Sequence, residues 1–376
     1  MKTNKLILLF VITFIVVVVA VVTTHRQSPT TAEQQTALFP NFKTVINKVN
    51  EITVKQGKDT LTVVNEGGKW KISEADGYPA LFSKVKQTAM AISGMQVISQ
   101  KTSNPELYPK LGVEDPASAN AKSSLLTLSD ASGKTLVTLI VGKKRFSPAA
   151  SGSHGLYVRL PDKKPALLVA GDLQASVNVA DWIDRNLMDI KPERISQIHI
   201  AHGGDQDVSY TFDKDKKDIV LQNIPKGKQP RTDYIKNRMK GILEDVRIDG
   251  VAAASKIMFP DTAVTATVNT TGGMTVDITS ATIDDKHYAK FAFHYTAPEK
   301  PAQQAAGAAK DDQDKTGNKN AGKEVDVAKQ AAELSAKTTG WVYQIPAYKY
   351  DTFTRKLDDL VENIPKKETE DKPAKG

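Results

Sequence analysis

The sequence predicts an α+β protein: an N-terminal transmembrane helix followed by two tandem copies of an antiparallel-sheet-plus-helices unit. Three observations predict it. Leu6–Val22 is an unbroken apolar run, with Lys2 and Lys5 before it. Downstream, short alternating segments are separated by brief turns rather than long crossovers, which favours antiparallel sheet with helices on one face. The order of these segments then recurs, which is the mark of an internal repeat.

A bilayer core about 30 Å thick needs roughly 20 helical residues at about 1.5 Å each. Leu6–Val22 with Thr23 and Thr24 is just long enough, and it contains no charge, Gly or Pro. A cleaved secretory signal is the competing reading. It asks for an apolar core of about 7–15 residues and a small-x-small site. Val18-Val19-Ala20 and Ala20-Val21-Val22 match such a site poorly. Lys2 and Lys5 keep the short N-terminus in the cytoplasm and send the rest across. Both readings export the chain, so in a bacterium it is expected at the inner membrane, single-pass, with its bulk in the periplasm.

The 376 residues leave room for two domains after an anchor. There is no Cys, which removes disulfides, thiolate catalysis, Cys-based zinc sites and a lipoprotein signal together. The net charge is +8, but 51 Lys and Arg are interleaved with 43 Asp and Glu. No basic run is paired with stacking aromatics, so nucleic acid is not an expected partner. A solvated basic surface facing anionic lipid or a partner protein is expected instead.

Residues 1–26 are read as the anchor and 27–44 as a linker, with a short helix towards Val49. The first repeat is 45–190. Ile52 and Val54, then Leu61, Val63 and Val64, then Trp70 and Ile72 form a three-stranded meander turning at Gly67-Gly68. Pro79 is placed to open a helix whose apolar face is Phe82, Val85, Ala89 and Ile92. Leu107, Tyr108 and Leu111 tuck a turn-rich stretch, 104–117, onto the core. Ser124–Leu128, Thr135–Val141, Leu156–Leu160 and Leu167–Val169 read as strands. Leu173, Val177, Ala180, Ile183 and Leu187 then mark an amphipathic helix capped by Asp172.

The second repeat is 193–364. Ile195, Ile198 and Ile200 stand where Ile52 and Val54 stood, and Val208–Phe212 and Ile219–Leu221 continue the meander. Ile235, Met239, Ile242, Leu243 and Val246 share a helix face. Strands follow at Thr262–Asn269, Met274–Thr279 and His287–Tyr295, and Gly340–Ile345 matches Gly155–Leu160. Phe353, Leu357, Leu360 and Ile364 end the unit with a helix. An Ala/Lys/Asp/Gly/Gln-rich insert occupies 297–337, with a short helix over Val325–Leu334, and a charged tail occupies 365–376.

Candidate chemistry is sparse. His199 and His202 with Asp205 form the one local metal-like cluster among His25, His154, His199, His202, His287 and His294. On a strand, residues three apart point to opposite faces, so the two His are expected not to share an ion. His287 and His294 fail for the same reason. Ser153-His154 lies in a loop with no nucleophile elbow. Gly142-Lys143-Lys144 lacks the phosphate-loop spacing, and Asp311-Asp312-Gln313-Asp314 lacks the Gly and closing Glu of a calcium loop. Asp284-Asp285 and Asp358-Asp359 read as solvated turns and helix faces, and Trp70, Trp182 and Trp341 as packing residues. No catalytic, cofactor-binding or metal residue is assigned, and no cofactor is expected.

Ala180–Leu187 with Ile190 and Ile195–Ile200 resembles the junction of the bacterial domain-of-unknown-function family 4340. Leu107–Pro116 resembles that family's "GL-x-x-P" turn, and Gly67–Ile72 its "G-x-W-x-I" strand. The resemblance covers most of the first copy and more weakly the second. It implies one N-terminal membrane helix, an exported region, and a gene placed beside ATPase and permease subunits of gliding-motility-type ABC transporters. It carries over no catalytic residue. The expected role is a non-enzymatic accessory subunit contacting transporter permease and ATPase subunits or other envelope proteins. The rival reading is a lipid- or glycan-binding module using a cleft between the repeats. A hydrolase built on His199, His202 and Asp205 ranks third.

Overall fold

The computed structural model describes residues 36–145, 155–298 and 326–365. The expected span Leu6–Val22, the Ser153-His154 loop, Asp311–Asp314 and most of the insert and tail lie outside them. Among the described residues no helix is long and apolar enough to cross a membrane.

Strands in chain order are β1 (Thr36–Ala37), β2 (Val49–Gln56), β3 (Asp59–Glu66), β4 (Lys69–Ile72), β5 (Tyr78–Pro79), β6 (Gln96–Thr102), β7 (Ser124–Asp130), β8 (Thr135–Arg145), β9 (Gly155–Arg159), β10 (Ala166–Ala170) and β11 (Asn186–Met188). They continue with β12 (Ile195–Ala201), β13 (Val208–Asp213), β14 (Asp218–Leu221), β15 (Lys228–Pro230), β16 (Val246–Arg247), β17 (Gly250–Ala253), β18 (Val264–Thr270), β19 (Met274–Ile283), β20 (Lys286–Tyr295), β21 (Trp341–Gln344) and β22 (Val361–Asn363). The longer helices are α1 (Phe82–Ser93), α2 (Asp233–Lys240), α3 (Val327–Thr338) and α4 (Ala347–Phe353). The fold is therefore sheet-rich α+β, as the alternation and short turns predict.

The chain divides into two compact units, Met1–Thr62 with Phe82–Val177, and Val63–Leu81 with Asn178–Gly376. In the first, strands run β1-β6-β10-β9-β8-β7-β2-β3. Helix α1 buries Val85, Thr88, Ala89 and Ile92 on the face that its apolar spacing requires. Tyr108 is buried with Val113, Ile140 and Ala166. Its hydroxyl donates to the Lys164 carbonyl at 2.5 Å, and the Arg159 guanidinium lies over its ring at 4.7 Å. This holds the 104–117 stretch against the sheet, as expected. Gly142 on β8 lets that stretch approach, because a Cβ there would meet the Leu111 carbonyl oxygen at 2.6 Å.

In the second unit the eight-stranded order is β14-β13-β12-β18-β19-β20-β21-β17, with β11-β16 and β15-β22 as small ladders. The hairpin Val63–Leu81 belongs here. Tyr78 packs edge-on against Trp341 at 5.0 Å and Tyr343 at 6.2 Å. Phe291 continues the aromatic row to Tyr343 and Phe353. Asp76, in left-handed backbone, accepts the Ala253 N–H at 3.0 Å and pairs with Lys256.

Four expectations are corrected. Leu173–Leu187 is not a helix. It contains one 3-10 turn, Val179–Asp181, with Asn178 accepting from the Ala180 N–H, and then β11. Ser176-Val177-Asn178-Val179 is a run of poor helix formers, and buried Leu173, Ala180, Ile183 and Leu187 give helical spacing to an irregular segment. Asp172 caps nothing there and pairs with Lys144 instead. Pro79 does not open α1. It lies on the two-residue strand β5, where its missing N–H costs no ladder bond, and α1 begins at Phe82. The helix through Ile242 and Val246 ends earlier, with α2 passing into a 3-10 turn at Gly241–Leu243 and Val246 on β16. The closing helix splits into α4, one turn at Leu357–Leu360, and β22. Thr352 and Thr354 bond back to the Tyr348 and Tyr350 carbonyls, which weakens continuation.

Candidate functional site

The residues that the sequence brings forward for chemistry are dispersed. The His199 ring meets the Ser209 hydroxyl at 2.9 Å, directly across the β12–β13 ladder. The His202 ring reaches the Arg355 carbonyl at 3.1 Å instead. Asp205 is exposed in the turn, and Asp207 does its structural work. Its carboxylate accepts the His202 and Gly203 N–H groups at 2.7 and 3.0 Å, and those bonds hold it below the usual carboxylate range. His287 stacks on Tyr350 at 4.3 Å, while His294 faces Asp277 at 3.3 Å. Asp284 and Asp285 both adopt left-handed backbone, which makes them a two-residue hairpin turn. Asp358 pairs with Lys228 at 2.6 Å, and Asp359 accepts the Lys356 N–H. Among the described residues no group of three or more His, Asp and Glu side chains is placed to hold a metal ion.

A different feature concentrates polar groups. A groove of about 680 Å³ opens in the second unit, walled by α2 and α4 and floored by Asp189, Lys191, Glu244 and Asp245. Tyr234, Asn237 and Arg238 reach it from α2 at the i, i+3, i+4 spacing of one helix face, and Gly241 follows at the start of the 3-10 turn. The opposite face buries Met239, with Ile242 and Leu243 following it. Burial of that apolar face therefore orients the polar one. From α4 come Tyr348, Lys349 and Thr352.

The floor is a tied network. Lys191 bridges Asp189 at 3.0 Å and Glu244 at 3.2 Å. The Lys191 bond, with the Asp245 N–H, holds the Asp189 carboxyl below its ordinary value. Asp245 sits in left-handed backbone with its carboxylate accepting from Arg247 Nε at 2.9 Å. Lys349 is 5% exposed, and its ammonium donates to the Gly241, Ile242 and Glu244 carbonyls that end the α2 segment. This satisfies carbonyls a helix end would leave orphaned. Burial pushes the Lys349 ammonium down to about 8, against the pull of Asp245, Glu244 and Asp189.

The rim differs from the floor. Tyr234 is 68% and Tyr348 46% exposed. Arg238 has no carboxylate partner among the described residues, and its field further lowers the Lys349 ammonium. The groove thus combines charge-paired, solvent-accessible side chains with two exposed tyrosine rings and one guanidinium that has no carboxylate partner among the described residues. Sequence reasoning missed it. The signal was the outward face of α2, where an aromatic and an Arg stand among polar residues.

A family model described as a domain of unknown function, DUF4340, matches residues 70–266. Comparisons with curated proteins and with solved structures give no match.

Proposed function

This chain belongs to the DUF4340 family, and from that premise we propose that it is a membrane-anchored, periplasmic, non-enzymatic interaction subunit. Its partners are the permease and ATPase of an ABC-type transporter, or other envelope proteins. The observation that carries the reading is the uncharged run Leu6–Val22 ahead of a sheet-rich body. Exposed apolar side chains support a partner surface. Helix α1 buries one face and leaves Phe82 61% and Met90 57% exposed.

Residues 45–190 and 193–364 are read as tandem copies of one unit. Strand order supports this: β6-β10-β9-β8-β7-β2-β3 in the first copy parallels β17-β21-β20-β19-β18-β12-β13 in the second. In this correspondence β21 is the counterpart of β10, whereas the match of Gly340–Ile345 to Gly155–Leu160 pairs it with β9.

The test is an in-cell crosslink of the tagged full-length protein, then mild detergent extraction and mass spectrometry. Recovery of a permease with its ATPase is the expected result. Recovery of the protein with no envelope partner would sink the reading.

A second reading, a lipid- or glycan-binding module, is favoured by one observation, the groove between α2 and α4. Its charged floor is unsuited to an acyl chain and suits a polar ligand.

A further inference from the structure

We infer that the groove between α2 and α4 is a binding site for an acidic glycan, a sugar chain carrying a carboxylate or phosphate substituent. The inference deepens the ligand-binding reading and is independent of any membrane anchor or transporter partner.

A pyranose ring has an apolar C–H face and a polar edge of hydroxyls. A site for it needs exposed aromatic faces beside planar hydrogen-bonding groups. Tyr234 and Tyr348 supply two largely exposed rings lining one groove, each with an apolar face and a polar tip. Asn237 lies one helical turn from Tyr234 on the same face and offers both a donor and an acceptor. Arg238 beside it presents a planar fork of donors suited to bidentate contact with an oxyanion.

Charge accounting points to an acidic sugar rather than a neutral one. Asp189 and Glu244 are bridged by Lys191, and Asp245 is held by Arg247. The Lys349 ammonium is turned inward onto three carbonyls. Among the described residues, the cation that lines the groove without a carboxylate partner is Arg238. An anionic substituent on the ligand completes it. The volume of about 680 Å³ falls within the roughly 300–1,000 Å³ usual for ligand sites.

The experiment is isothermal titration of the full-length chain in mild detergent micelles with tetragalacturonate, mannose 6-phosphate, cellotetraose, inorganic phosphate and adenosine monophosphate. The two acidic sugars separate a carboxylate from a phosphate source, and cellotetraose removes the charge. Phosphate removes the sugar, and the nucleotide replaces the sugar face with a base. Saturable binding of at least one acidic sugar, stronger than cellotetraose and phosphate, is expected. Arg238→Ala should weaken it by about tenfold or more, with partial recovery in Arg238→Lys. Tyr234→Ala with Tyr348→Ala should weaken it comparably. Both tyrosines are exposed, so an unchanged melting temperature separates lost binding from lost fold. No heat from either acidic sugar, binding undiminished in the tyrosine double variant, or preference for the nucleotide overturns the inference. None of these outcomes bears on whether the protein has an envelope partner, which the crosslink reads separately.

Discussion

Lys349 is where burial and charge conflict most sharply. Its ammonium is held at about 8 by burial, although three carboxylates pull the other way. In the unfolded chain the same group titrates near 10.5. Between pH 8 and 10.5 the unfolded chain therefore binds more protons than the folded one, and this group's contribution to stability rises with pH. Below pH 8 both states are charged and the contribution is constant. Urea melts of the native chain and Lys349→Met at pH 7.5 and 9.5 check this. The native chain should gain on the order of 1–2 kcal/mol relative to the variant across that interval. Equal pH dependence in the two proteins would mean that the ammonium is solvated. A buried Lys was not legible in Pro346-Ala347-Tyr348-Lys349-Tyr350. Its partners are backbone carbonyls more than a hundred residues away, and backbone carbonyls leave no signature in sequence.

Individual elements were legible in proportion to how local their causes are. The strands Ser124–Asp130, Thr135–Arg145 and Met274–Ile283 follow from alternation and from turn residues such as Asp130–Gly133 and Gly272-Gly273. The segment Leu173–Leu187 reads as a helix because Leu173, Val177, Ala180, Ile183 and Leu187 stand at helical spacing, and four of them are buried there without a helix. What fixes it is tertiary, namely the complete burial of Trp182. The same distinction separates two kinds of glycine. Gly133 serves its own turn, with a φ of 80° and nothing near its missing side chain. Gly142 serves a distant element, since a Cβ there would collide with the Leu111 and Gly112 carbonyl oxygens and with Val113. Gly142→Ala should therefore cost about 1–3 kcal/mol, the range of overpacking with backbone displacement, and lower the midpoint in thermal melts. A loss under about 0.5 kcal/mol, the scale of a neutral surface change, would show that the 104–117 stretch is free to move away.

At the scale of the whole molecule, the legible parts were the sheet-rich α+β class and the family. Both rest on patterns spread along the chain. The groove was not legible because its walls come from α2 and α4, more than a hundred residues apart, and its floor from between β11 and β12 and from the turn before β16. The functional account rests on one further claim, that this body works outside the cytoplasm on a single membrane segment. With 51 basic and 43 acidic residues, the chain carries excess positive charge suited to an anionic membrane surface. The chain contains no cysteine, so engineered thiols report without background. The direct measurement is labelling of Lys58→Cys and Thr3→Cys variants in spheroplasts with a membrane-impermeant maleimide. Lys58 is exposed in the turn between β2 and β3. The account predicts that Lys58→Cys is labelled in intact spheroplasts and Thr3→Cys only after lysis. Protection of Lys58→Cys until lysis would place the body in the cytoplasm and contradict it.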